Sequence, residues 1–156
     1  MAQTADKPSG RVLIIAGSDS GGGAGIQADI KTVSALENYA MTAVTAITVQ
    51  NTLGVTDVHA VPPEIVRAQI EAVMSDLGAD TWKIGMMGSA AHVRAVTDAW
   101  YAVGAGAPVV LDPVMIAKGG ASLLEEDAIE IIRDELMPVA AIVTPNAPEA
   151  EALTGI

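Results

Sequence analysis

The hydrophobic pattern along the chain switches repeatedly between short apolar runs and helical stripes. Arg11–Ala16 is an apolar run stopping at Gly17, which predicts a buried strand. From Ala24 to about Leu36, Ile26, Ile30 and Val33 recur at offsets of four and three, one face of a helix. Met41–Val49, rich in Thr, Val and Ile, reads as a second strand. Val55–Val61 alternates Val55, Asp57 and His59 against Thr56, Val58 and Ala60, an extra strand in a small lid or edge. Pro62-Pro63 then opens a helix carrying the stripe Val66, Ile70, Val73 and Leu77. Thr81–Ile84 and Pro108–Leu111 are strands, with a small-residue helix over Ser89–Tyr101 between them. A helix over Glu125–Leu136 lines up Ile129, Ile132 and Leu136, Ala140–Val143 is the last strand, and a final helix starts near Pro148.

Strands that are nearly continuous apolar runs, alternating with helices, predict an α/β fold. Its mostly parallel sheet is covered on both faces, in three α/β/α layers. Residues 1–10 are polar, contain Pro8 and read as a flexible tail, leaving 11–156 as part of a single domain. The last helix stops at Thr154-Gly155-Ile156, so the domain is expected to be C-terminally incomplete.

Charge narrows the function. Eight Lys+Arg against nineteen Asp+Glu give a net charge of −11, which argues against an electrostatic grip on nucleic acid or anionic lipid. Aromatics make up 3%, with no Phe, so a base-stacking platform is also unsupported. With no cysteine the chain has no disulfide, thiolate nucleophile or Cys-ligated zinc. His59 and His92 lie far apart without metal-ligand spacing. No apolar run is long enough to span a bilayer, and Met1–Gly10 lacks the order of a signal peptide. The expectation is an acidic chain of the cytoplasm.

Ligands of open parallel sheets bind at the carboxyl ends of the strands, so the loops there hold the candidate chemistry. The first is Gly17-Ser-Asp-Ser-Gly-Gly-Gly-Ala-Gly25, five glycines in nine residues leading into a helix. Such a loop lets backbone approach a ligand and aims N–H groups at it; the plainer reading is a tight turn. A P-loop fails for want of Lys then Ser or Thr, and a nucleophile elbow lacks its first glycine. Gly23-x-Gly25-x-x-Ala28 fits a dinucleotide pattern, but Met41–Gln50 holds no acid for a ribose.

The other loops add single residues. Gln50 carries donors and an acceptor that suit an amine beside a ring nitrogen, or it simply opens a polar turn. Lys83 is a cation in an apolar run, and Met86-Met87 offers either a soft wall for a planar ligand or core filling. Asp112 at a strand end suits Mg²⁺ through water or a helix N-cap, and Lys118 beside two glycines suits a phosphate. Asn146-x-x-Glu149 is a capping box by spacing, and equally a pair placed beside a Mg²⁺–phosphate group.

Together the motifs Ala16–Thr32, Thr48–Thr52, Lys83–Met86, Asp112–Met115 and Thr144–Glu149 resemble the hydroxymethylpyrimidine/phosphomethylpyrimidine kinases of thiamine biosynthesis. These belong to the ribokinase-like superfamily. The resemblance implies an ATP- and Mg²⁺-dependent enzyme that phosphorylates the pyrimidine's hydroxymethyl group and then phosphorylates the monophosphate. It implies that Gln50 bonds the pyrimidine, Ala24 and Val114 make backbone contacts, Met86 walls the pocket and Asp29 lies near the substrate hydroxyl. Asn146 and Glu149 match the Mg²⁺–phosphate motif, with Glu149 toward the metal and Asp112 in the same cluster. Lys118 is followed by Gly119-Gly120 where the family often has Ser-Gly.

Members of that family tend to dimerise, which implies a homodimer as one option for this chain. They also carry a C-terminal anion hole, catalytic base and most of the adenine pocket, and none of those three features is found in residues 1–156. The expectation is therefore a chain holding much of the substrate half, with little or no turnover alone. A pyridoxal-type vitamin kinase is the alternative on the same scaffold. A non-catalytic pyrimidine-binding fragment or pseudoenzyme is the alternative of another class.

Overall fold

The computed structural model describes residues 9–104, 106–116 and 123–156. Within them lie β1 (Arg11–Asp19), α1 (Gly25–Ala35), β2 (Tyr39–Asn51), β3 (Gly54–Ala60), α2 (Pro63–Asp76) and β4 (Thr81–Ile84). These are followed by α3 (Ala90–Val103), β5 (Val109–Leu111), α4 (Glu126–Ile131), β6 (Ala140–Val143) and α5 (Ala147–Thr154). One six-stranded sheet runs in the order β3-β2-β1-β4-β5-β6. All pairings are parallel except β2 with β3, which form an antiparallel hairpin at one edge. β1 is flanked by β2 and β4, so the chain reverses its winding direction at β1 and opens a crevice at its carboxyl end.

Strand periodicity sorts the two faces. Leu13, Ile15, Trp82 and Ile84 share a core with Val66 and Ile70 of α2 and with Val93 and Val96 of α3. Fully burying each such aliphatic side chain contributes about 1.5–3 kcal/mol. Leu153 of α5 and Ala128 of α4 belong to the same core, so α2 to α5 cover one face. Ile14, Lys83, Val110 and Ile142 stand opposite one another in the parallel register and share the other face. There Lys83 meets Asp29 of α1. No residue of α1 is fully buried, and Ile142 remains 55% exposed. Trp82 is wholly buried, yet its indole N–H has no partner among the described residues.

The elements follow the periodicity with three informative differences. The stripe over Glu125–Leu136 is α-helical only to Ile131, continues as a π turn over Ile132–Leu136 and ends in a 3₁₀ turn over Met137–Val139. Pro138 has no N–H to continue the ladder and its ring crowds the preceding turn, so the winding changes before it. Ile132 and Leu136 nevertheless both reach the core. The second strand is longer than its apolar run, because β3 pairs with it as far as Asn51. The expected tail falls mostly outside the described residues. Ser9 and Gly10 are tied down, the Ser9 hydroxyl donating to Asn38 Oδ1 at 2.9 Å and the Tyr39 N–H donating to the Gly10 carbonyl.

Candidate active site

The glycine loop between β1 and α1 is organised by an acid at the last position of β1. Asp19 is 5% exposed. Its Oδ1 accepts from the Gly21 N–H at 2.7 Å, and its Oδ2 from Gly23 and Ala24 at 2.9 and 2.8 Å. The Gly22 N–H donates to the Asp19 carbonyl. The loop's inward N–H groups are thus held by the protein's own carboxylate, in the manner of an anion in a backbone nest. The expectation that they point at a ligand is corrected on this count. Gln27 locks the other side, accepting from the Asp19 N–H and donating to Ser18 Oγ. Ser20 fastens the loop to β2, donating to the Gln50 carbonyl at 2.7 Å and accepting from the Gln50 N–H at 2.8 Å.

Beneath this loop, at the carboxyl ends of β1, β2, β4 and β5, is a cavity of about 320 Å³. It brings together Ala24, Asp29, Gln50, Met86, Asp112 and Val114, residues far apart in sequence. A second cavity of about 440 Å³ shares Asp19, Ala24 and Gln50 and continues toward the β2–β3 turn. A third, about 600 Å³, touches Met86 but runs under Ser89 and His92. His92 is buried with both ring nitrogens engaged, to Ser89 Oγ and the Val61 carbonyl, so it belongs to the scaffold.

The polar groups of the 320 Å³ cavity form a small charge network. Lys83 Nζ lies 2.9 Å from Asp29 Oδ2 and 3.6 Å from Asp112 Oδ2. Burial pushes the Asp112 carboxyl above its ordinary value; Lys83 opposes that rise, and the charge of Glu149 adds to it. Thr48 Oγ1 lies 2.8 Å from the Ser18 carbonyl and 3.1 Å from Gln50 Oε1, and its single proton serves one of them. Gln50 therefore keeps hydrogen-bonding capacity for a ring edge. The Ala24 N–H is held by Asp19 and its carbonyl accepts from Ala28, so a ligand donor there meets the carbonyl's second lone pair.

Asn146 and Glu149 lie apart from that cavity, at the start of α5, and the capping box is formed. The Asn146 side chain accepts from the Glu149 N–H, and Glu149 Oε2 from the Asn146 N–H, both at 3.0 Å. Glu149 Oε1 also accepts from the Met115 N–H at 3.4 Å, which ties α5 to the loop after β5. Among the described residues no group of three or more His, Cys, Asp or Glu is placed to hold a metal. Mg²⁺ keeps several waters and needs one or two carboxylates beside substrate phosphates. Asp112 with Glu149 fits that mode rather than a resident cation. Lys118 lies outside the described residues.

The raised Asp112 pKa has a consequence for stability. An unfolded aspartate titrates near about 3.9. Between that value and the raised folded one, the folded chain keeps a proton the unfolded chain has released. Stability contributed by this group therefore falls as pH rises through the window. Asp112→Asn is expected to melt no lower than the unaltered protein at pH 7. Any advantage vanishes below about pH 4, where the carboxyl is protonated in both states. A clearly lower melting temperature at pH 7 would count against this electrostatic account.

The sequence model of the family described as phosphomethylpyrimidine kinase matches residues 19–156. The chain belongs to the phosphomethylpyrimidine kinase family. A hydroxymethylpyrimidine/phosphomethylpyrimidine kinase of Haemophilus influenzae is 53% identical over 146 residues, covering 94% of this chain and 54% of that protein. The crystal structure of phosphomethylpyrimidine kinase from Clostridium difficile 630 matches with a TM-score of 0.86 at 47% identity, over 94% of this chain and 63% of that one. A pyridoxal kinase of Staphylococcus aureus in complex with ADP matches with a TM-score of 0.82 at 38% identity, over 94% of this chain and 52% of that one. The fold is the ribokinase-like α/β fold of these kinases. The chain spans about half the length of the curated relatives it matches. Among the described residues no helix is long and apolar enough to cross a membrane.

Within this phosphomethylpyrimidine kinase scaffold, Asp19 escaped the candidate set and Lys83 was singled out without an assigned role. Asp19 hides among glycines, where an acid followed by Gly two and four positions later reads as ordinary turn chemistry. Lys83 was visible only as a cation in an apolar strand. Its partners come from α1 and from the loop after β5, a juxtaposition that no local spacing encodes.

Proposed function

We propose that this chain forms the pyrimidine-holding part of an ATP-dependent kinase that phosphorylates hydroxymethylpyrimidine and then its monophosphate. One observation carries the reading: Gln50, Asp29 and Met86 converge on a single cavity at the carboxyl end of the sheet. In this reading the Gln50 carboxamide pairs with the ring's amine and ring nitrogen, while Met86 packs against the ring face. The carbonyls of Ala24 and Val114 take the remaining donors. Asp29, held by Lys83, faces the hydroxymethyl group. Magnesium arriving with ATP supplies charge neutralisation for the phosphates, and Asp112 and Glu149 are the residues that would hold it. Phosphoryl transfer depends on positioning and charge stabilisation around the transferred group, and these residues provide the acceptor side of that arrangement.

Isothermal titration of the purified chain with hydroxymethylpyrimidine tests the proposal. Binding is expected, with Gln50→Ala weakening it about tenfold or more, because a ligand amide-like edge loses its paired partner. Pyridoxal and a nicotinamide dinucleotide serve as comparison ligands. Tighter binding of pyridoxal, or pyrimidine binding indifferent to Gln50→Ala, overturns the assignment. Adding MgATP to the same samples distinguishes turnover from binding alone, and binding without turnover favours the non-catalytic reading.

A further inference from the structure

The two pyrimidines named for the relatives differ by one phosphoryl group, and so by about two negative charges at neutral pH. The cavity proposed to take both is acidic, lined by Asp19, Asp29 and Asp112. A neutral alcohol enters such a site without penalty, whereas a phosphomonoester needs a counter-charge. Of the chain's Lys and Arg, Lys7 and Lys118 lie outside the described residues. Arg11, Arg67, Arg94 and Arg133 are paired with Asp80, Glu71, Glu135 and Asp134. Lys31 donates to the Gly22 carbonyl. Among the described residues, Lys83 is the cation on the cavity wall.

The two contacts of Lys83 are unequal. The Asp29 contact of 2.9 Å is a charge-assisted hydrogen bond, while Asp112 at 3.6 Å is beyond hydrogen-bond length. An ammonium has three N–H donors. Lys83 can therefore keep its bond to Asp29 and still turn donors toward a new anion. We infer that Lys83 is the residue that admits the phosphomonoester: its ammonium stays on Asp29 and turns from Asp112 to the phosphate oxygens of the bound monoester. This rests on the pyrimidine-kinase reading. It assigns discrimination between the two substrates to one strand residue inside the cavity.

The experiment measures the affinities of hydroxymethylpyrimidine, its monophosphate and a non-hydrolysable ATP analogue for the unaltered protein and for Lys83→Met. The expected result is a change of about tenfold or more in the alcohol-to-monoester affinity ratio, against the monoester, with the preference weakening as salt rises in the unaltered protein. Lys83→Met leaves two carboxylates without their counter-ion and risks misfolding. Lys83→Met combined with Asp112→Asn restores the local net charge and carries the comparison of the two pyrimidines, while the ATP analogue is compared in Lys83→Met alone because Asp112 is itself assigned to Mg²⁺. Equal weakening of both pyrimidines would mean that Lys83 only supports the wall, and overturns the inference. Weakening of the ATP analogue rather than the monoester overturns it too. If the unaltered protein binds neither pyrimidine, the kinase reading itself falls, and the role of Lys83 falls with it.

Discussion

Asp19→Ala is expected to lower the free energy of unfolding by about 2–4 kcal/mol, a large loss for one loop residue. The carboxylate accepts three backbone N–H bonds of 2.7, 2.9 and 2.8 Å in a position that is 5% exposed. Hydrogen bonds to a charged group contribute about 1.5–3 kcal/mol each, and water entering the opened loop recovers part of that sum. Gly21, Gly23 and Ala24 are exposed enough for such rescue, which keeps the net figure below the simple total. Asp19→Asn is expected to fall between the two. Its amide oxygen can still accept, while its NH₂ group opposes the N–H groups that Oδ2 now serves. Chemical denaturation of the three proteins orders them as Asp19, then Asn, then Ala. A loss below about 0.5 kcal/mol for Asp19→Ala would sink the idea that this acid organises the loop.

That same residue shows where sequence reading stops. Apolar runs and stripes place β1, β2, β4, β5 and the main helices because burial on a sheet face leaves a period in the chain, whereas β3 and β6 show only a short apolar or alternating pattern and bury no residue fully. The Asn146–Glu149 capping box was legible for a similar reason, since both partners lie within one helical turn. Gln50 and Met86 stand out by their chemistry at strand ends, while Asp29 and the roles of all three come from the family resemblance. Their meeting in one cavity depends on the strand order, which brings β2 and β4 to either side of β1. The π turn after Ile131 escaped because Pro138 acts on the winding of residues before it. The unequal pairing of Lys83 escaped because Asp29 lies 54 positions away and approaches across the gap between helix and sheet.

Gly25→Ala is expected to be at least as damaging, by about 3 kcal/mol or more, and to act on the site as well as on stability. Gly25 has a φ of 53°, a region in which an L side chain costs about 1–2 kcal/mol. A Cβ there would also stand 2.3 Å from the Gly17 carbonyl oxygen and 3.3 Å from the Asp19 nitrogen. Neither atom is the end of a flexible side chain. Gly17 and Asp19 belong to β1, and Ser18 bridges to Gly25 directly, so relief requires the start of α1 to move off the sheet. Asp29 lies one turn further along α1, and moving that turn breaks its 2.9 Å bond to Lys83. Gly22 provides the control. Its φ of 75° carries a similar conformational penalty, but a Cβ there meets only Lys31 Nζ at 3.4 Å. Gly22→Ala should therefore lose about 1–2 kcal/mol and keep pyrimidine binding, while Gly25→Ala loses more and binds poorly. Amide exchange provides the local readout: in Gly25→Ala the N–H groups of Gly21, Gly23 and Ala24 lose protection, and in Gly22→Ala they keep most of it. Equal losses in the two variants would show that the positive φ dominates and that the close approach of α1 to β1 contributes little.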